Sequence, residues 1–468
     1  MGRYRKITNA IMVIVILLFI VANFTGAFAY AYDNKKGISS VELKNSLHPM
    51  FQSSQITPLT TTISNFTPDM IRTAYNLKNI YNAGIDGSNV TIGILAMIGN
   101  FSWGEESSDA LDCFQALYTF SLHYNLPLPE LKKTIVFYNT YTSISRYDFN
   151  KHTNNSYIEY MNETEIDIEW AHSIAPGAKI IVYGIFGYKN IGVDINTGLI
   201  KSGNVPDYWL TEALRDIVNG SFYINPNKRI SVPIPNILSY SYGGSEVKMS
   251  SNNISSIDKS IKKFTDNGGI FFSASGDYGA YKHDPPLASW LDFDDHYDPS
   301  FPATDPYTIS VGGSLIKSIS PLNEIGWIQS GGGWSFYFKK PQWQNDRMIS
   351  PYPNYDYNKS MRLVPDVSAS SANLSVYIKA YGWNIFSGTS LSTPIWSGIA
   401  ALSLEYANFI KNHNAGTYVP LNKAQMFSYF LYEYNKYPYN GFNDIMGGNN
   451  TYKYHGFSCT AGWDAVTG

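Results

Sequence analysis

The chain has 468 residues, 44% of them hydrophobic, enough to bury the core of one long α/β domain or of two or three smaller ones. Only 15% are Asp, Glu, Lys or Arg, against about 25% in ordinary soluble proteins, and 37 tyrosines with many Asn, Ser and Thr supply polarity that hardly titrates. A net charge of −3, with no Lys/Arg block beyond the N-terminus, gives a nucleic-acid partner no electrostatic footing.

Arg3, Arg5 and Lys6 precede an apolar run from Ile11 to Ala22, and Ala27-Phe28-Ala29 offers small residues at signal-peptidase spacing. Residues 1–29 therefore read as a secretion signal; the alternative is an uncleaved anchor, the only form in which the chain would touch a membrane. Either form exports the chain. Asn-x-Ser/Thr sequons such as Asn65, Asn219 and Asn373 agree with export, though an Asn-rich chain produces them by chance. Residues 30–65 are polar, without a sustained period, and read as a linker or short propeptide remnant. From 66 to 468 the pattern is that of one domain.

Within that domain, Pro68 to Asn82 is predicted as one helix opened by proline, and Asn89 to Ala96 as a buried strand. Helix is expected over Thr164–Ile174, strand over Ala178–Tyr183 and Ile237–Ser241, and helix over Ser256–Asn267. Strands follow at Ile270–Ala274 and Ser310–Val311, and a long apolar helix at Leu391–Phe409. Strand and helix in alternation, with near-continuous apolar strands, imply a mostly parallel central sheet with helices on both faces. The stretches 101–160, 184–230 and 281–300 read as long loops. Cys113 and Cys459 either form one disulfide or remain two thiols, and neither lies in a metal-binding pattern.

The strongest local signal is Phe386-Ser-Gly-Thr-Ser-Leu-Ser-Thr-Pro394. Gly388 permits a tight turn, and Ser390 falls at a helix start, where backbone N–H groups can face a developing oxyanion. The plainer reading makes Thr389 or Ser390 an N-cap. A second segment, Glu163-Thr-Glu-Ile-Asp167-Ile-Glu-Trp-Ala-His-Ser-Ile-Ala-Pro-Gly, spaces two carboxylates four residues apart on one helix face. Two adjacent carboxylates do not easily both ionise, so one holds a proton into a pH range where imidazole is already charged. Glu165 and Glu169 repeat the spacing on the other side, where a solvated pair is the ordinary expectation. Geometry alone does not choose between the pairs.

Together the two segments resemble the sedolisins, serine-carboxyl peptidases on a subtilisin-like fold. Phe272-Ser-Ala-Ser-Gly-Asp277-Tyr-Gly279 is similar to their Ser-Gly-Asp-x-Gly turn, and Ser239-Tyr-Ser-Tyr-Gly-Gly244 to their substrate-cleft strand. Phe301–Tyr307, Ser330–Ser335 and Arg362–Val367 follow in the family's order. The resemblance implies a secreted, acid-active endopeptidase with Ser390 as nucleophile, Glu163 as base, Asp167 supporting it and Asp277 at the oxyanion. Ser241, Tyr242 and Gly243 would line the cleft, and the substrates would be proteins or peptides. The C-terminal end resembles the family's loop for one structural Ca2+, implying ligands at Asp444, Ile445, Thr460, Gly462 and Asp464, with threonine at 460 where the family has glycine. The acidic run Asp292, Asp294, Asp295, His296, Asp298 reads as a solvated loop. Two rivals remain at this stage: an inactive peptidase fold used for binding, and a neutral subtilisin with His172 or another histidine as base. Oligomeric state leaves no mark in the sequence.

Overall fold

A computed structural model describes residues 48–49, 52–53, 65–98, 108–139, 154–186, 192–193, 200–201, 206–225, 228–280, 298–344, 360–413, 420–423, 425–434, 442–452 and 455–468. The expected signal at 1–29 and most of the linker lie outside these residues.

Strands β1 (His48–Pro49) and β2 (Gln52–Ser53) come first, then helices α1 (Pro68–Ala74) and α2 (Lys78–Asn82). They are followed by β3 (Thr91–Ile98), α3 (Ser108–His123), β4 (Ile135–Asn139), α4 (Asn154–Ile174) and β5 (Lys179–Phe186). A ribbon of β6 (Gly192–Val193) and β7 (Ile200–Lys201) precedes α5 (Pro206–Val218), β8 (Ser221–Asn225) and β9 (Lys228–Ser231). Then come β10 (Ile237–Tyr240), β11 (Tyr242–Ser245), α6 (Ser251–Asp266), β12 (Ile270–Ala274) and β13 (Ser300–Phe301). The last part holds β14 (Thr308–Ile319), β15 (Leu322–Gly326), β16 (Gly333–Lys339), β17 (Met361–Val364), β18 (Val367–Ser370), β19 (Leu374–Ile378) and β20 (Gly382–Ser387). Helices α7 (Thr389–His413) and α8 (Met426–Tyr434) close the series.

One ten-stranded sheet organises the molecule, in the order β15-β14-β12-β10-β3-β5-β4-β8-β9 with β18 also on β14. Its centre is parallel: Ile237 lies opposite both Ile92 and Ile270, and Phe272 opposite Ile309. Antiparallel pairs occur only towards the edges, at β14–β15, β4–β8 and β8–β9. All four residues of β10 and all five of β12 are buried, so both faces of the sheet are covered. The mostly parallel α/β architecture expected from the sequence is the one found.

Several boundaries differ for physical reasons. The single helix expected over 68–82 breaks where Asn76 turns left-handed at φ 54°, a conformation asparagine tolerates. The stretches read as loops hold α3, β4, α5, β8 and β9. Helix α6 starts five residues earlier than expected because Ser250 caps it, accepting from Asn253 N at 3.3 Å. Cys113 and Cys459 are separate buried thiols, which settles the two alternatives for them.

A buried ion pair anchors the C-terminal side of the sheet. Arg362, fully buried, donates Nη1 to Asp366 Oδ1 at 2.8 Å and Nη2 to Oδ2 at 2.5 Å. Asp366 also accepts from Tyr432 Oη at 2.6 Å and Ser310 N at 2.8 Å. Arg362→Leu strands that carboxylate without its cation, so it is expected to destabilise the fold by about 3–5 kcal/mol. Urea unfolding checks this, and a loss below about 1 kcal/mol would show the pair to be dispensable.

Candidate active site

Helix α4 carries two acidic pairs through the interior. From Asn162 to Ala175 every residue is buried, because α4 packs against α7, α3, β3 and β19 at once. Such a helix cannot be amphipathic, and its carboxylates must find partners inside the protein or hold protons.

Glu163 and Asp167 are both fully buried. Ser241, between β10 and β11, donates its hydroxyl to Asp167 Oδ1 at 2.6 Å, while Ser390 Oγ donates to the Ser241 carbonyl at 3.3 Å. That second bond is long for O–H···O, so the Ser390 hydroxyl is weakly committed. Neither oxygen of Glu163 has a hydrogen-bond partner, nor does Asp167 Oδ2. Burial, and then the charge of Asp167, pushes Glu163 well above the usual carboxylate range; the nearby Ser390 and Ser241 hydroxyls pull back only in part. Burial likewise raises Asp167 against the opposing pull of Ser241. A proton held within the pair is the physical consequence.

Ser390 is the second residue of α7, fixed by the turn at Gly388, whose N–H bonds Ser371 O at 2.7 Å. Pro394 has no N–H to return to the Ser390 carbonyl, so the helix opens without tying that residue down. Asp277 follows the end of β12 and is buried. Its Oδ1 accepts both the backbone N–H and the hydroxyl of Thr389 at 2.8 Å, while its Oδ2 has no partner. Burial pushes Asp277 up to about 8 in spite of those two donors, leaving Oδ2 as the place for a proton. Gly331 guards this turn: a Cβ there would lie 2.1 Å from the Ser275 carbonyl, so the glycine run at 331–333 is a close approach of backbones.

The fold thus gathers Glu163, Asp167, Ser241, Asp277 and Ser390 from four separate parts of the chain. Tyr242 and Gly243 lie on β11, next to them. Thr389 was read only as a possible cap and proves to orient Asp277; its place between Gly388 and Ser390 was the available signal.

The other acidic pair is a correction. Glu165 and Glu169 are buried rather than solvated, accepting the N–H groups of Lys379 at 3.2 Å and Tyr377 at 3.0 Å along β19. They cap strand donors that have no strand partner on that side, a job invisible in helix spacing. Asp298, read as part of a solvated loop, is also buried and accepts from Ser245 Oγ at 2.8 Å; its companions at 292–296 lie outside the described residues. His172 is committed elsewhere: its Nε2 lies 2.7 Å from the Pro127 carbonyl, and burial lowers it to about 4.

Buried carboxylates with raised values link stability to pH. Glu165 and Asp277 are each pushed up to about 8, so the folded state holds protons that an unfolded chain, with carboxyls near 4, releases. Their contribution is full below pH 4 and is lost as pH rises towards 8. Scanning calorimetry is expected to give a Tm at pH 4 at least about 5 °C above that at pH 8; the reverse order would contradict these assignments.

At the C-terminal loop, Asp444 accepts from Gly462 N at 3.1 and 3.2 Å, and Asp464 accepts from Thr460 N at 3.0 Å and Val466 N at 2.9 Å. The carbonyls of Ile445, Thr460 and Gly462 accept no hydrogen bond among the described residues. Two carboxylates and three unspent carbonyls suit a hard cation. Among the described residues no three His, Cys, Asp or Glu side chains come together for a metal, so the loop is a carbonyl-rich candidate only. No described helix is long and apolar enough to cross a membrane.

Comparison with known proteins agrees with this geometry. Residues 140–447 match the model of the subtilase family. Tripeptidyl-peptidase 1 of Dictyostelium discoideum is 29% identical over 315 residues, 65% of this chain and 45% of that protein. The Homo sapiens tripeptidyl-peptidase 1 is 34% identical over 182 residues, 37% of this chain and 31% of that protein. The matches span less than half the length of these relatives. Among solved structures, Pseudomonas sedolisin, a serine-carboxyl proteinase complexed with two molecules of pseudo-iodotyrostatin, superposes with a TM-score of 0.60. It covers 87% of this chain and 95% of its own at 22% identity, a likeness of fold.

Proposed function

We propose, for a chain that belongs to the subtilase family and to its sedolisin branch, that it is a secreted, acid-active serine-carboxyl endopeptidase. The observation that carries this reading is the fully buried Glu163 carboxyl, without a hydrogen-bond partner, one helical turn from Asp167, which is itself joined through Ser241 to Ser390. Ser390 Oγ attacks the peptide carbonyl carbon while its proton passes to Glu163. Asp167 holds the proton the pair already carries, which leaves Glu163 ionised to accept this one, and protonated Asp277 donates from Oδ2 to the oxyanion. Collapse breaks the C–N bond, Glu163 returns the proton to the leaving amine, and water repeats the sequence on the acyl-enzyme. Strand β11 supplies backbone pairing to an extended substrate through Tyr242 and Gly243. The test is digestion of a denatured protein at pH 4: wild type is expected to produce fragments and Ser390→Ala none. Equal digestion by both would sink the reading.

A calcium ion held by Asp444, Asp464 and the carbonyls of Ile445, Thr460 and Gly462 would brace the C-terminal loop against the sheet edge. Chelator is expected to lower the Tm, added calcium to restore it, and Asp444→Ala to remove the response. A Tm indifferent to calcium would leave the loop without a metal role.

A further inference from the structure

The resemblance implies a place in the substrate cleft for Ser241, but its side chain is fully buried and bonded to the acid pair. The residue falls between β10 and β11, where one strand ends at Tyr240 and the next begins at Tyr242. Its main chain and side chain do different jobs there. The carbonyl accepts the Ser390 hydroxyl at 3.3 Å, and Oγ lies 2.6 Å from Asp167 Oδ1. Glu163 has no hydrogen-bond partner, yet the Ser241 hydroxyl is one of the two that partly offset the upward push on it. One hydroxyl therefore stands beside both carboxyls. The charged groups acting on Glu163 are Asp167 from its own helix and Asp277 from beyond β12, and the other hydroxyl is that of Ser390 on α7. Among the described residues no basic side chain bonds either carboxyl.

We infer that Ser241 is a positioning residue: its hydroxyl keeps the pair's proton on Asp167 and so leaves Glu163 ionised to take the proton of Ser390. The inference rests on the peptidase reading above and accounts for how its two carboxyls divide the work. A serine hydroxyl can accept one hydrogen bond while donating another. A contact of 2.6 Å suits a carboxylate accepting from Ser241 and equally a protonated carboxyl donating to it. With the proton on Asp167 Oδ1, that carboxyl donates to Ser241 Oγ, and the Ser241 O–H turns to the Glu163 carboxylate. A proton on Glu163 instead would find no acceptor in place, which is costly for a buried O–H. The pair then holds one proton and one negative charge, and the Ser241 proton only rotates about the Cβ–Oγ bond. With both carboxyls protonated Glu163 cannot accept another proton, so activity appears as the first proton leaves the pair. Ser241 stabilises the singly ionised pair and thereby lowers the pH at which that happens. Without the hydroxyl, the acid limb of the rate profile moves to higher pH.

Steady-state kinetics on one oligopeptide between pH 2 and 8 provides the test, with wild type, Ser241→Ala and Ser241→Thr, each checked for folding by its Tm at pH 4. Ser241→Ala keeps the carbonyl that takes the Ser390 hydroxyl and removes only the side-chain bond. The expected result is an acid limb of kcat/KM displaced upward by about one pH unit, a loss of about tenfold on that limb, and KM within about twofold. The alkaline limb is expected to move less, since both ionised forms of the pair lose the same donor. Ser241→Thr restores a hydroxyl and is expected to bring the limb back; a folded Ser241→Thr protein with the limb still displaced overturns the inference. A Ser241→Ala loss spread evenly over pH, a loss confined to KM, or no loss at all also overturns it and leaves the peptidase reading standing. If Ser241→Thr does not fold, the limb of Ser241→Ala decides alone. A folded wild type inactive over the whole range overturns the peptidase reading, and the inference with it.

Discussion

Glu163→Gln is expected to lower kcat/KM for an oligopeptide by roughly 10³-fold at every pH where wild type works. The amide retains the shape of the carboxyl but cannot take the Ser390 proton, and no described neighbour replaces it: Glu163 has no hydrogen-bond partner, and His172 is held at the Pro127 carbonyl. The neighbouring acids on α4 serve as controls. Glu165 and Glu169 accept backbone N–H groups of β19, which a glutamine carbonyl can also accept. Glu165→Gln and Glu169→Gln should therefore cost less than about tenfold. Equal losses for all three variants would mean that burial on this helix, rather than proton transfer, is what the assay detects.

Asp277 gives the second large effect. With Oδ1 engaged by both donors of Thr389 and Oδ2 unpartnered, the protonated side chain is a fixed donor aimed by α7 itself. Asp277→Ala is expected to reduce kcat by roughly 10²–10³-fold with little change in KM, the pattern of a contact made only in the transition state. Asp277→Asn keeps an acceptor for Thr389 and an N–H at the other position, so it should recover part of the loss. It should also remove whatever part of the alkaline decline comes from Asp277 losing its proton near pH 8. Stopped-flow or steady-state kinetics on one peptide separates kcat from KM. A loss confined to KM would make Asp277 a substrate-binding residue instead.

How legible the molecule was depends on which force set each feature. The parallel strands Ile237–Tyr240 and Ile270–Ala274 were readable because burial on both faces demands an unbroken apolar run. Ser390, Glu163, Asp167 and Asp277 were readable only through ordered motifs, since helix spacing alone left Glu163/Asp167 and Glu165/Glu169 equivalent. What distinguishes the pairs is their tertiary surroundings: one faces Ser241 and Ser390, the other the edge of β19. Thr389, Ser241's bond to Asp167 and the buried Asp298 depend on contacts between segments far apart in the chain, which no local pattern encodes. The helices Ser108–His123 and Pro206–Val218 were hidden in stretches whose polar texture resembles a loop, and tertiary packing supplies what propensity does not.

In the proposed mechanism a proton-holding carboxyl pair, and not an imidazole, activates Ser390. The pH dependence of kcat/KM between pH 2 and 8 tests it most directly. The expected profile has its maximum in acid and falls as rising pH strips the proton that the buried pair shares and, near pH 8, the one on Asp277. A rate that climbs towards neutrality and levels there would be the signature of a histidine base and would contradict the account.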